Sequence, residues 1–326
     1  MATMKLADLV QHQEFTNYFR QEMLSKSLLV QSGIAVPDPV IAAKVAAGSG
    51  LEGKTLDMPY LESLDSAGDA EVPVDGTNAT DDKVGTKNDV AVVQYLRKTF
   101  AVTDVAATMG RVDPMAHIVS QLTPYWLKQD QKRFLAIVKG VFAANDAGAA
   151  DATHDITTLE GTAANLAKDT ILMGAQLLGD RSAELTAVAM NSRTAAYLAA
   201  LDTNAGLYRA SEAPGQLATY NGRAILVDDA IEDASGEATI YLFGAGSVVY
   251  NELPTPHPFE AERDANAAID RLHSWRRCIL HVRGWKWQGS MAGTGPTVAE
   301  LEASTAWTRV FDRKRVPLVR VKAKIA

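Results

Sequence analysis

Asp113-Pro114 opens a helical pattern that sets the scale for everything else in the chain. Asp at the N-cap and Pro at the first helical position form a strong start signal, because the N–H that proline lacks is one the helix would leave unpaired anyway. Ile118, Leu122, Trp126, Phe134, Ile137, Val138 and Val141 then continue one apolar face to about Asn145. At 1.5 Å per residue such a helix is a rod of roughly 45 Å, with a kink expected at Pro124. Few compact domains need a rod of that length.

The segments before the rod lack a core of their own. Phe15, Tyr18, Phe19, Met23 and Leu24 recur at helical spacing up to Gly33 and the Pro37-Asp38-Pro39 break, which reads as an arm that packs on something else. Two strand-like runs follow, Lys54–Leu64 and Asp89–Val102, separated by a stretch rich in Asp, Gly, Thr and Pro. Between Thr55 and Asp82 lie eight acids and no Lys or Arg. So long and acidic a connection is expected to be disordered in an isolated subunit and to need an external surface to order it.

After the rod, residues 146–158 read as a small polar loop, followed by a helix at about 159–178 and a strand, Leu185–Met190. Asn191-Ser192-Arg193 caps a shorter helix, Thr194–Leu201. Strands are expected at 223–228 and 238–243, then, beyond Pro254-Thr255-Pro256-His257-Pro258, a helix-like stretch from about Phe259. A long strand pattern, Arg271–Gln288, precedes a short helix at 297–310 and a closing strand, Val316–Ile325. That last strand puts Val319, Val321, Ala323 and Ile325 on one face and Arg320, Lys322 and Lys324 on the other.

Residues 48–55, Gly-Ser-Gly-Leu-Glu-Gly-Lys-Thr, match the phosphate-binding pattern G-x-x-x-x-G-K-[ST]. That pattern works where a strand enters the glycine loop and a helix starts at the Lys-Thr, so that backbone N–H groups converge on phosphate. Here the preceding Pro39–Ala47 reads as a short helix, and Leu56-Asp57-Met58-Pro59-Tyr60-Leu61 alternates apolar with polar. Pro59 would sit in the first turns of the required helix, where it costs about 3 kcal/mol. A strand leaving a glycine turn fits better. Ala224–Asp229 imitates an apolar strand ending in a magnesium-binding acid, but it follows the turn-like Tyr220-Asn221-Gly222-Arg223. Tyr241–Ser247 imitates a dinucleotide fingerprint without its third glycine and continues as strand, so a glycine-kinked strand is expected.

Other chemistry is equally thin. On a strand His273 and His281 share a face while Cys278 points the other way, so they cannot converge on zinc. No Gly-x-Ser-x-Gly elbow is present, and no catalytic residue, cofactor site or metal site is expected. The lone Cys278 excludes an internal disulfide and suits a reducing compartment, and no run of eighteen apolar residues exists to span a membrane. A net charge of −7 opposes tight general binding to nucleic acid, although it suits a surface lying near packed DNA without sticking to it. Trp275, Trp285 and Trp287 interleave with Arg276, Arg277, Arg283 and Lys286, a pattern that can stack bases. With an acidic chain the expected reading is instead a strand whose Trp residues enter the core while its Arg residues pair with acids of the next subunit.

Taken in order, these elements resemble the major capsid proteins of tailed bacteriophages with the Hong Kong 97-type fold. The likeness is carried by Glu14-Phe15-Thr16-Asn17-Tyr18, by Gly53-Lys54-Thr55-Leu56-Asp57-Met58-Pro59-Tyr60, and by Asp104-Val105-Ala106-Ala107 before Asp113-Pro114. Tyr125-Trp126 and the strand-to-helix step Ala189-Met190-Asn191-Ser192 add to it. No one motif is diagnostic; the order of elements carries the weight.

The resemblance implies an α+β fold with an N-terminal arm at 1–45, an extended β-hairpin loop at 46–100 and a peripheral domain with the long spine helix at 101–145. An axial domain at 146–245 and a return to the peripheral domain at 246–326 would complete it. It implies self-assembly into hexamers and pentamers of an icosahedral shell around double-stranded DNA in the bacterial host cytoplasm. Scaffolding, portal and decoration proteins would be partners, DNA contact would be weak and non-specific, and no membrane would be involved. The charge partition adds an expectation of its own: Asp65, Asp69, Glu71 or Asp75 of one loop near Arg276, Arg277 or Arg283 of the next subunit, with Met58, Leu61 and Val72 supplying apolar adhesion. Two rivals remain at this stage, a nanocompartment shell of the same fold that encloses enzymes, and a nucleotide hydrolase using residues 48–55.

Overall fold

The structure, a computed structural model, describes residues 32–46, 54–62, 84–105, 114–201, 208–209, 217–231 and 236–325, with a few isolated positions between them. The arm residues Phe15–Leu24, the N-cap Asp113 and most of the acidic connection lie outside the described residues. In chain order the elements are β1 (Ala35–Val36), α1 (Pro39–Ala46), β2 (Thr55–Leu61), β3 (Thr86–Thr103) and α2 (Pro114–Ala147). Then come β4 (Thr153–Asp155), α3 (Thr170–Ala175), β5 (Leu185–Met190), α4 (Ser192–Leu201), β6 (Tyr208–Arg209), β7 (Thr219–Tyr220), β8 (Arg223–Val227) and β9 (Glu237–Gly244). The chain ends with β10 (Val248–Glu252), β11 (Phe259–Asp264), β12 (Ile269–Val282), β13 (Trp285–Trp287), α5 (Val298–Glu302), β14 (Trp307–Arg309) and β15 (Leu318–Lys324).

The strands form a six-stranded sheet, β1-β10-β12-β3-β2 with β11 paired to β12, and a seven-stranded sheet, β4-β15-β9-β5-β8-β7-β6. A small β13-β14 ribbon lies apart from both. The seven-stranded sheet shows why its strands read so clearly in sequence. Val188 and Met190 of β5, Ile240 and Leu242 of β9, and Val319 and Val321 of β15 enter one core with Leu166, Ile171 and Leu198. The alternate residues Ala187, Ala189, Tyr241, Phe243 and Leu318 enter a second core on the opposite face. With side chains alternating across a strand, one sheet therefore serves two cores.

The second core is built on α2. Its 34 residues make a rod of about 51 Å. Phe134, Ile137, Val138, Val141 and Phe142 pack toward Tyr241, Phe243, Val248, Leu280 and Trp285. Nearer its start, Leu122 and Trp126 pack with Phe259, Leu96 and Phe100 from the far end of the six-stranded sheet. One helix thus joins both sheets, and it runs unbroken through Pro124. Each large side chain so buried contributes on the order of 1.5–3 kcal/mol.

Several expected elements differ in the structure. The stretch from Phe259 is β11, a strand paired antiparallel with β12, and not a helix. Its Glu260-Ala261-Glu262-Arg263 composition favours helix, but Glu260 and Glu262 stand opposite His273 and Arg271 across the ladder, and pairing overrides propensity. The helix expected at 159–178 is broken into a 3-10 turn at Gly161–Ala164, the short α3, and a further 3-10 stretch at Gln176–Glu184. Gly161 and Gly179 sit at φ of +63°, outside helical geometry. The 271–288 strand is divided by Gly284 at φ +82° into β12 and β13. The expected kinked strand at 241–250 is a turn between β9 and β10, which belong to different sheets. The 146–158 loop contains β4, which pairs parallel with β15. The helix expected at 297–310 stops at Glu302, after a Thr297–Glu300 capping box starts it.

Gly140 marks the closest approach between α2 and the chain's tail. A Cβ there would lie 2.1 Å from the Leu301 carbonyl oxygen and 2.7 Å from Trp307 Nε1, which are themselves hydrogen-bonded at 2.8 Å. Gly140→Ala is expected to destabilise the subunit by about 1–3 kcal/mol. Gly148→Ala, where the nearest atom is 3.4 Å away, should be close to neutral. Denaturant unfolding of the two variants checks the contrast.

Candidate inter-subunit surface

The extended hairpin of β2 and β3 grows out of the six-stranded sheet through a single shared strand. β3 pairs with β2 over Thr86–Val92 and with β12 over Val93–Thr103, so its partner changes between Val92 and Val93. Thr55 starts this strand and no helix follows Lys54. The Lys54 ammonium donates to the Gly293 carbonyl at 2.8 Å, a tie between the hairpin and the loop before α5. Asp229 of the supposed magnesium strand accepts the Ser192 N–H at 3.0 Å at the start of α4, in the other sheet from Lys54. The nucleotide reading therefore loses the helix it needs after Lys54 and its magnesium-binding acid, and its glycine loop, 48–53, lies outside the described residues.

Beyond its root the hairpin offers apolar side chains to solvent. Leu61 is 69% exposed and Val72 85%. Met58, expected to adhere to a neighbour, is half-buried against the Ile41, Leu56, Ala91 and Ile279 cluster of its own subunit. Asp65, Asp69, Glu71 and Asp75 lie outside the described residues.

The arginines expected to receive that loop are placed differently from one another. Arg276 is 3% exposed, and its guanidinium donates to Asp130 Oδ1 at 2.9 Å and to the Tyr250 hydroxyl. Tyr250 donates in turn to Asp130 Oδ2 at 3.2 Å, and Arg276 lies over the Trp126 ring at 5.9 Å. Burial opposes the charge on Arg276, but Asp130 and Tyr250 outweigh it and raise its pKa. This guanidinium is committed inside its own subunit, which corrects its assignment to a neighbour's loop: Arg276 lies on the β12 face that packs on α2. Arg277 is also buried, stacked over Tyr95 at 4.4 Å. Arg283 binds Asp38 at 2.9 Å and keeps 44% of its side chain exposed.

The aromatic residues of this stretch also divide. Trp285 and Trp287 are core residues. Trp275 is 39% exposed with Arg97 over its ring at 5.5 Å. His273 and His281 share a face of β12 as expected, but they are served separately. His273 bonds Thr99 and Glu262, each at 2.9 Å. His281 is fully buried, 3.1 Å from Asp89. Among the described residues no group of His, Cys, Asp or Glu is placed to hold a metal ion. Cys278 is buried, and burial pushes its thiol up to about 12, so it is an unreactive core residue. No described helix is long and apolar enough to cross a membrane.

Sequence reasoning missed Asp89, Tyr60 and Phe311, which anchor the hairpin. Asp89 sits opposite Met58 and accepts the Gly284 N–H at 3.0 Å. Burial would raise its pKa, but His281 and the Gly284 and Val90 N–H groups outweigh that and lower it. Tyr60 donates to the Val310 carbonyl at 3.0 Å and meets Phe311 edge to face at 4.5 Å.

A long helix spanning two sheets, with a hairpin projecting from one of them, is the arrangement of the Hong Kong 97-type α+β fold. A family model of Gp13-like proteins, described as major capsid protein 13-like, matches residues 115–317, and the chain belongs to that family. It is 33% identical over 332 residues to the major capsid protein of Bacillus phage SPP1, covering 100% of this chain and 99% of that one. The fold is shared with the capsid of cyanophage Pam1, at a TM-score of 0.57 and 13% identity over 100% of both chains. A chain of Mycobacterium phage Bobi aligns at a TM-score of 0.55 and 12% identity, over 90% of this chain and 89% of that one. The protein is a major capsid protein of a tailed phage and builds the virion shell by association with itself.

Removing one partner of the buried pair should be costly. Arg276→Ala is expected to lose about 3–5 kcal/mol of subunit stability, whereas replacing Asp130 and Arg276 together by Leu and Met should lose much less. Trp275→Ala, at a half-exposed site, should stay within about 1 kcal/mol. Guanidinium unfolding curves of the three variants test the ranking.

Proposed function

We propose that this subunit forms hexamers and pentamers that close an icosahedral shell around double-stranded DNA, and that the extended loop of each subunit lies across its neighbour. The observation that carries the reading is the hairpin itself: its described ties to its own subunit lie on β2 and β3, while Leu61 and Val72 remain uncovered. Such a segment makes sense when a second copy covers it. The arm expected at 1–45 would act in the same way only before Ile34, because Ile34, Ala35 and Ile41 are buried in cores of their own subunit, and the chain divides into the loop at 46–100, the peripheral domain at 101–145 and 246–326, and the axial domain at 146–245.

The acids Asp65, Asp69, Glu71 and Asp75 supply charge to that contact. Of Arg276, Arg277 and Arg283, Arg283 retains an exposed guanidinium that can take a second carboxylate. Arg97, which makes no ion pair among the described residues, offers another. Exposed pairs contribute only about 0–1 kcal/mol each, so charge sets register while Leu61 and Val72 supply more of the adhesion. Scaffolding, portal and decoration proteins and weak, non-specific contact with packaged DNA complete the set of partners. Assembly takes place in the bacterial host cytoplasm, and no cofactor or enzymatic step is required.

Deleting residues 66–82 should leave a soluble, folded subunit that fails to close shells. Electron microscopy and sedimentation of the expressed protein read this directly. Particles of normal size and salt tolerance from the truncated chain would remove the loop from the assembly mechanism.

A further inference from the structure

A hairpin that shares one strand with the rest of its sheet, and whose Leu56, Asp57 and Met58 are held only near its root, needs something farther out to fix its direction. The strand partner of β3 changes between Val92 and Val93, and the first tie, Lys54 to the Gly293 carbonyl, sits at that pivot. A bond at the pivot has almost no leverage over the angle. Tyr60 lies five residues farther along β2 than Thr55, which places it about 17 Å from the pivot at 3.4 Å per residue. A slip of about 1 Å there changes the hairpin's direction by only about 3°, so contacts at Tyr60 control the angle closely.

Those contacts close into a ring. Asp89 on β3 holds the Gly284 N–H at 3.0 Å. The Gly284 carbonyl accepts the Val310 N–H at 2.8 Å. Gly284 stands at φ +82°, and a Cβ there would lie 2.8 Å from the Phe311 ring, so that ring lies directly on the glycine. Phe311 then meets the Tyr60 ring, and the Tyr60 hydroxyl reaches the Val310 carbonyl. The path thus leaves the hairpin on β3, crosses the β12–β13 turn and the tail segment, and re-enters the hairpin on β2.

We propose that Tyr60 and Phe311 are positioning residues that fix the angle at which the extended hairpin leaves the subunit. The ring contact supplies the stop and the hydroxyl bond supplies the direction. Phe311 would set that angle from the tail, through a turn that admits only glycine. The proposal rests on the reading that the loop serves a neighbour, but it is tested separately from it.

The test uses the full chain with paired spin labels at Val72→Cys and Ala299→Cys, both exposed positions, with the buried Cys278 left in place. Labelled protein is diluted into excess unlabelled protein so that each particle carries one labelled subunit. Phe311→Ala and Tyr60→Ala should each broaden the distance distribution at least two-fold. Tyr60→Phe, which keeps the ring and loses the bond, should broaden it less, and Phe311→Tyr should restore the wild-type width. Should Phe311→Ala fail to fold, the Tyr60 pair alone decides. An unchanged width in the folded Ala variants overturns the proposal. A broadened width with shells of normal diameter supports Tyr60 and Phe311 as positioning residues and counts instead against the loop's role in assembly.

Discussion

The helix Pro114–Ala147 has to lie in one register across two sheets, and most of the subunit follows from that contact. Apolar packing alone sets the register poorly, because burial is non-directional. Sliding the helix by one turn would bring Leu122, Trp126, Phe134 and Phe142 against other apolar side chains. It would also separate Asp130 from Arg276 and Tyr250, and a buried charge left without its partner costs several kcal/mol. The Trp126 indole bond to Ser274 at 2.9 Å adds a second directional constraint one turn away. Polar groups in the middle of the rod therefore choose among positions that the apolar face would accept almost equally.

With the helix fixed, the two cores it joins behave as parts of one body. β5, β9 and β15 put alternate side chains into both, so the seven-stranded sheet cannot repack on one face without disturbing the other. The six-stranded sheet is less self-contained. Its strand β3 continues past the last residue paired with β12 and forms the hairpin, carrying the sheet's hydrogen bonding out of the body. A rigid body with a projecting, partly apolar hairpin suits the proposed shell, in which every subunit would donate one hairpin and receive another. Contacts of about 1 kcal/mol would then add up around the shell, although each one is too weak to hold a dimer alone.

Much of this architecture could be read in the residues, and what could not has local causes. Strand β5 lies at the residues expected, and α4 starts two residues earlier, with Asn191 Oδ1 accepting the Arg193 N–H at 2.9 Å as a capping residue should. Asn221-Gly222 forms the tight turn between β7 and β8, both residues at positive φ. The failures came where tertiary pairing overrides composition. Phe259–Asp264 is rich in helix formers yet pairs as a strand, and Asn165, extended at ψ 146°, interrupts the helix expected at 159–178. Arg276 departs from its expected place for a different reason. Alternation places residue 276 on one face of β12 and 275 and 277 on the other, but sequence alone did not say which face packs on the helix.

The anchors of the hairpin were invisible for a further physical reason. Tyr60 donates to the carbonyl of Val310 and Lys54 to that of Gly293, while Asp89 accepts the N–H of Gly284. In each bond one partner is main chain, which every residue carries, so only the side chain leaves a trace in sequence. A lone Tyr or Asp reads as an ordinary core or surface residue, and Lys54 reads first as part of a phosphate-loop pattern. The receiving positions remain free to change as long as the backbone keeps its path, and that path is maintained by glycines such as Gly140 and Gly284, where no Cβ fits. A fold tied together in this way is recognised by the order of its elements and by where its glycines fall, while short motifs, including a complete phosphate-loop pattern, arise within it without their chemistry.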